Sequence, residues 1–271
     1  MPSYVITGVS RGLGWEFLKK ISSDPSNSVI GIVRNKPLVE KRVAEELDSR
    51  RNITLLRADV TKYDELKTAA ADVASITGGS LDYLIANAAY LTAIDTYDGI
   101  GTIGQRVQEL SDEFHKSMEA NVLANIHLYN IFMPLILQGT AKKVVAISSG
   151  IADIDWINDY EIAALSLNSM SKAALNVVTA KFNAQYKKDG VLFLSVCPGF
   201  VDTGHFIEPT PEQQTNMNIM MESYMRYSPS FKGPITPTES IEAVLSVIEN
   251  ASIEKGDGGR FLSHFGNKKW L

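Results

Sequence analysis

Short blocks of nearly unbroken apolar residues alternate along this chain with longer stretches in which apolar residues recur every three or four positions. Seven blocks, at 4–7, 29–33, 53–56, 81–86, 144–147, 191–196 and 261–262, have the length of strands and are rich in Val, Ile and Leu. A strand with one wet face alternates; an unbroken run fits a parallel sheet covered on both faces. The longer stretches read as helices, most clearly 111–137 and 169–187. In the first, Phe114, Met118, Val122 and Ile126 recur every four residues and predict a buried stripe. Right-handed crossovers between such elements give an α/β fold with a doubly wound, Rossmann-type sheet and helices on both faces. No repeat or linker divides the chain, so a single domain is expected over 1–271.

Two stretches interrupt the alternation. Residues 150–167 carry Trp156 and Tyr160. Residues 204–237 carry Phe206, Met217, Met220, Met221, Tyr224, Met225, Tyr227 and Phe231, with several prolines. Long loops in a compact α/β domain are usually functional, and methionine-rich surface adapts to irregular ligands. A substrate lid is therefore expected at about 204–237; a helix that simply packs its methionines on the core is the alternative.

Composition narrows the classes. The chain has 271 residues, 45% of them hydrophobic, and a net charge of −5, with no basic cluster to suggest nucleic acid. Its one cysteine, Cys197, excludes an intrachain disulfide framework and fits a reducing compartment. Neither a secretory leader nor an apolar run of roughly 18 residues is visible. His115, His127, His205 and His264 show no metal-ligand spacing. A cytoplasmic protein that binds neither membrane nor metal is expected.

The chemistry starts at Tyr4-Val5-Ile6-Thr7-Gly8-Val9-Ser10-Arg11-Gly12-Leu13-Gly14, where an apolar strand runs into glycines and then a helix. Such a turn brings backbone close to an anion and offers it the N–H groups and positive dipole end of the helix. A plain tight turn would have the same look. With its βα units, however, the chain resembles the short-chain dehydrogenase/reductase family from residue 3 to about 201.

The resemblance implies a nicotinamide dinucleotide whose pyrophosphate lies on Gly8, Ser10, Arg11, Gly12, Leu13 and Gly14. Arg34, at the end of the second strand, stands where an acidic residue would accept from a ribose 2′-hydroxyl. With Arg11 beside it, the corner favours a 2′-phosphate, hence NADP(H). Asp59-Val60 matches the adenine-contacting pair, and Asn87-Ala88-Ala89 matches an Asn-Ala-Gly element with Ala89 in place of glycine. Val201 and Thr203, in Cys197-Pro198-Gly199-Phe200-Val201-Asp202-Thr203, are expected at the nicotinamide end. Cys197 itself reads as a small buried side chain.

Reduction in this family rests on an asparagine, a serine, a tyrosine and a lysine. The resemblance assigns Asn121 to support a water near the lysine, Ser149 to orient the substrate oxygen, and Lys172 to hold the ribose. Four residues before Lys172, at the tyrosine position, stands Asn168. A carboxamide donates a hydrogen bond but releases no proton at accessible pH, and general acid–base catalysis contributes about 10²- to 10⁴-fold. Three explanations follow: Tyr160 supplies the acid; the pocket performs a non-redox isomerisation or cyclisation with NADP as a wall; or the chain only binds NADP. The first implies an oxidoreductase acting on a bulky apolar small molecule. The two long helices would pair in a homodimer or homotetramer, as the resemblance implies.

Overall fold

All seven predicted strands form in the computed structural model, which describes residues 1–204 and 207–271. They are β1 (Ser3–Thr7), β2 (Ser28–Val33), β3 (Ile53–Arg57), β4 (Tyr83–Ala86), β5 (Lys143–Ile147), β6 (Leu192–Cys197) and β7 (Phe261–Ser263). They make one sheet in the order β3-β2-β1-β4-β5-β6-β7, and every pairing is parallel. Val5 faces one side of the sheet and Ile6 the other; Val144 and Val145, and Phe193 and Leu194, divide likewise, and all six are buried. Two covered faces are why the strands carry no polar alternation. Leu81 belongs to no strand, because its N–H donates to the carbonyl of Leu135 at 2.9 Å.

Helices α1 (Gly12–Ile21), α2 (Lys36–Glu46) and α10 (Pro237–Asn250) contribute to the apolar cluster on one face; α3 (Tyr63–Thr77), α6 (Ala124–Gln138) and α8 (Ser166–Tyr186) contribute to that on the other. Neighbours β2 and β4 lie on opposite sides of β1, so strand order reverses there; in such sheets ligands bind outside the carboxyl ends of the strands flanking the reversal, here β1 and β4. A third apolar cluster, built by Trp156, Tyr224, Trp270 and their neighbours, includes Cys197 at the carboxyl end of β6.

Three details differ from the sequence expectation. The predicted helix 111–137 is α5 (Val107–Met118), one wide π turn (Glu119–Leu123) and α6. The extra residue in that turn changes the helical phase, so Asn121, Asn125, Leu128, Tyr129 and Phe132 face inward. Phe114 is exposed, and Met118, Val122 and Ile126 are only half-buried; the four-residue stripe lies beside the buried face. By length and composition this rod could cross a bilayer, but more than half of its most apolar window is buried within the fold.

Neither interruption is an extended loop. A 3-10 turn (Gly150–Ala152) and α7 (Ile154–Tyr160) occupy the first, with Asp153 accepting from the N–H groups of Asp155 and Trp156. The second contains α9 (Pro211–Tyr227), started by a reciprocal cap between Thr210 and Gln213 with proline at its first position. Met217, Met220, Met221, Tyr224 and Tyr227 pack inward from it, whereas Met225 points out. Phe206 lies outside the described residues. A four-residue helix, α4 (Ile100–Ile103), completes the set.

Candidate active site

The glycine turn is shaped first by contacts within the chain. A methyl group on Gly14 would lie 2.2 Å from the Gly8 carbonyl oxygen and 2.5 Å from Asn87 Nδ2. Gly8 has φ +76°, which other residues rarely adopt. Asn87 holds this shape: its Nδ2 donates to the carbonyls of Thr7 at 2.9 Å and Gly8 at 3.3 Å. Thr7 Oγ1 accepts from the N–H groups of Asn87 and Ala88. Ala89 keeps a negative φ, so the missing glycine strains nothing.

Helix α1 starts at this turn with no side-chain cap on its N-cap residue Arg11 and no acidic residue in its first turn. Its first amides are thus left for an anion. Thr203 crosses the turn, with its Cβ 3.5 Å from where a Gly12 side chain would begin. Leu13 packs against the core. Val201 bridges to Ile235 and anchors the segment that carries Thr203.

Arg34 and Arg11 are both exposed. Burial pushes the Asp59 carboxyl up, but the N–H and hydroxyl of Thr61 and the Arg34 cation outweigh it and hold the group below the usual range. Arg34 and Asp59 are therefore close enough to interact, and Val60 packs against the apolar cluster on that side of the sheet. A cation that sequence reasoning missed is Arg42. It stacks 3.9 Å above Trp15 and donates to the Ser10 carbonyl at 3.3 Å. Thirty-two positions separate Arg42 from Ser10, and no local pattern marks the pair.

At the other side of the crevice, the π turn presents Asn121. Its Oδ1 accepts from the Tyr90 N–H at 2.7 Å, and its Nδ2 donates to the Tyr90 carbonyl at 2.9 Å and to Ser171 Oγ at 3.0 Å. Ser171 donates in turn to the Asn168 carbonyl at 3.1 Å. Asn121 is thus spent on positioning the 90s segment and α8. The Asn121 carbonyl freed by the π turn is taken by Asn125 Nδ2 at 2.8 Å.

Asn168 sits in the first turn of α8 with its Oδ1 buried and without a hydrogen-bond partner. Lys172, one turn later and 6% exposed, donates from Nζ to the Ile147 carbonyl at 2.7 Å. Burial without a carboxylate partner pushes its ammonium down to about 8, partly opposed by Cys197. Ile147 ends β5, and Ser148 and Ser149 follow it directly. Cys197 Sγ accepts from the N–H groups of Gly150 at 3.0 Å and Gly199 at 3.4 Å, joining the turns after β5 and β6; burial pushes its thiol up to about 11.

Lys172 is anchored at the end of β5, on the residue two before Ser149, and Asn121 is linked to Asn168 through Ser171. Tyr160 is not joined to that network. It ends α7, with its ring edge-on to Tyr227 at 5.0 Å. A second residue missed from sequence is Asp95, which is fully buried. Its Oδ2 accepts from the Leu167 N–H at 2.6 Å and its carbonyl from the Leu165 N–H at 2.8 Å, fixing the start of α8. Burial pushes its carboxyl up, opposed by the backbone N–H groups of Leu167, Asp95 and Asn168. Leu165 meets it in a left-handed conformation, φ +61°.

These features agree with the comparisons. The chain matches the short chain dehydrogenase family over residues 3–214. It is 55% identical over 271 residues to the short chain dehydrogenase virK of Hypocrea virens, with all of both chains covered. It is 50% identical over 272 residues to the short-chain dehydrogenase/reductase iacC of Pestalotiopsis fici, again with all of both covered. In fold it resembles the NADPH-bound carbonyl reductase from chicken fatty liver (TM-score 0.73, 24% identity, 98% of each chain). The carbonyl reductase Sniffer of D. melanogaster is similar as well (TM-score 0.76, 21% identity, 98% of each chain). A parallel sheet with a glycine cradle at its switch point, a family match over most of the length and relatives at half identity or more lead to one conclusion: the chain belongs to the short-chain dehydrogenase/reductase family of oxidoreductases.

Proposed function

We propose that the chain is an NADP(H)-dependent oxidoreductase that interconverts a carbonyl and an alcohol on a bulky apolar small molecule, with a proton source other than the family's usual tyrosine. One observation carries this reading. Lys172 is held buried on the Ile147 carbonyl, two residues before Ser149 and one helical turn after Asn168. Cofactor retention alone does not require a buried ammonium placed there.

The cradle fits a dinucleotide: the glycines admit close backbone approach, the first turn of α1 is uncapped, and Arg11 and Arg34 supply charge for a 2′-phosphate. When bound, the nicotinamide supplies or accepts the two electrons of the reaction. Lys172 has N–H donors beyond the one on Ile147 and holds the ribose. The Ser149 hydroxyl orients the substrate oxygen. Asn168 stands at the proton donor's position and faces the substrate. Tyr160 supplies the proton by swinging off Tyr227. The apolar residues of α9 close over the substrate. Phe114, Leu123, Met170 and Val177 leave an apolar surface on α5 to α8 that suits a homodimer or homotetramer.

A second reading is a non-redox isomerase or cyclase that retains NADP. It is favoured by Asn168, which carries no transferable proton, and by the position of Tyr160 outside the network. The absorbance of NADPH, followed with a panel of quinones and cyclic ketones, separates the two. Turnover that Tyr160→Phe abolishes and Asn168→Tyr raises supports the reductase. Tight NADPH binding with substrate conversion but no NADPH oxidation supports the isomerase, and failure to bind NADPH overturns both.

A further inference from the structure

Trp270, almost at the end of the sequence, is 2% exposed and stacks on Phe261 with ring centroids 4.3 Å apart. Its place is unusual because of what it touches. A side chain on Gly150 would start 2.7 Å from Trp270 Cβ and 2.9 Å from its Cγ, closer than real contacts allow. Gly150 directly follows Ser149, and its own N–H is fixed on Cys197 Sγ. The turn that aims Ser149 is therefore wedged between β6 on one side and the indole on the other.

The same segment grips α9. The Trp270 N–H donates to the Tyr227 hydroxyl at 2.9 Å, and that hydroxyl donates to the Lys268 carbonyl at 3.2 Å. Tyr227 is the last residue of α9 and packs 5.1 Å from Trp156 and 5.0 Å from Tyr160. Lys268 Nζ lies 3.7 Å from the carboxylate of Asp153, the cap of α7. Residues 268–270 thus tie together the carboxyl end of α9, the start of α7 and the Ser149–Gly150 turn. The two hydrogen bonds belong to the backbone of 268–270; the indole itself adds the stack on Phe261 and the contact with Gly150, where no Cβ fits.

We propose that Trp270 is a positioning residue of the active site: it sets the Ser149–Gly150 turn and latches the carboxyl end of α9, so that seating of the substrate and docking of this segment are coupled. The kinetic consequence rests on the reading of Ser149 as the residue that orients the substrate; the mechanical one does not. Both are testable on the full chain with W270G, W270F, G150A and the G150A/W270G double variant.

Hydrogen–deuterium exchange of W270G is expected to speed up about tenfold or more both at 150–153 and at 224–231, with no change at 12–15. NADPH affinity should stay within about twofold, because the cradle lies on other elements. Where the parent turns over a carbonyl, W270G should lower kcat about tenfold at unchanged NADPH affinity, and W270F should restore most of it. G150A should cost about tenfold in kcat/KM in the parent but less than about twofold in W270G, where the two nearest atoms are gone and the next, 3.1 Å away, is the movable end of the Trp156 ring.

Faster exchange confined to 263–271, or an equal effect of G150A in both backgrounds, overturns the proposal. If the parent reduces no carbonyl, the proposed function fails, while exchange and the coupling of G150A to W270G in melting temperature still decide whether the latch exists.

Discussion

Lys172→Met gives a prediction whose size follows from burial. The Lys172 ammonium lies in the interior with one hydrogen bond, to Ile147, and its pKa falls from 10.5 to about 8 because burial disfavours the charge. Below that value both folded and unfolded chains carry the proton, and the burial penalty is fully present. As pH rises from 8 towards 10.5, the folded chain releases the proton while the unfolded chain keeps it, and the penalty disappears. Between about pH 7 and about pH 10 the parent should therefore gain about 2–3 kcal/mol of stability relative to K172M.

Methionine fills similar space without titrating. Its loss of the bond to Ile147 costs about 1–3 kcal/mol at every pH and so drops out of the slope. Cys197, pushed up to about 11, stays protonated through most of this window. Urea unfolding of parent and variant at closely spaced pH values, without cofactor, measures the difference directly. A difference that stays flat from neutral to alkaline pH would show that Lys172 is solvated or paired, and that the electrostatics drawn here for the site are wrong.

Gly14→Ala should destabilise the chain by about 3 kcal/mol or more, or prevent folding, because its methyl meets the Gly8 carbonyl at 2.2 Å; denaturant melts read this without any cofactor. Arg34→Glu should weaken NADPH binding by about tenfold to a hundredfold and leave NADH nearly unchanged, as measured by fluorescence titration of both; equal losses would refute the 2′-phosphate assignment. Asp95→Ala should cost about 1–3 kcal/mol by leaving the Leu167 N–H buried and unpaired, with Asp95→Asn recovering part of it in thermal melts.

The order and type of the sheet elements were legible in the sequence, and so was the cradle. Strands covered on both faces must be apolar throughout, and a turn that packs α1 against the Gly8 carbonyl must be glycine-rich, so both leave local marks. The start of α9 carries a local mark as well, in Thr210, Pro211 and Gln213, but the expectation for 204–237 rested on its methionines, which suited a lid or a packed helix equally.

Other features depended on contacts distant in sequence. The four-residue repeat through Phe114 and Ile126 promised burial, but the π turn at Glu119–Leu123 rotated the helix and turned Asn121 inward instead. Nothing near Asp95 in sequence announces that it will cap a helix 72 residues later, and nothing near Arg42 announces its hold on Ser10. Trp270 reads as an ordinary apolar residue until β7 carries it back against Gly150. Local patterns fix periodicity, turns and caps because those energies arise between neighbours in the chain. Where buried charges find partners, and which side chain stands behind Ser149, is decided only when the sheet closes and remote segments compete for the same space.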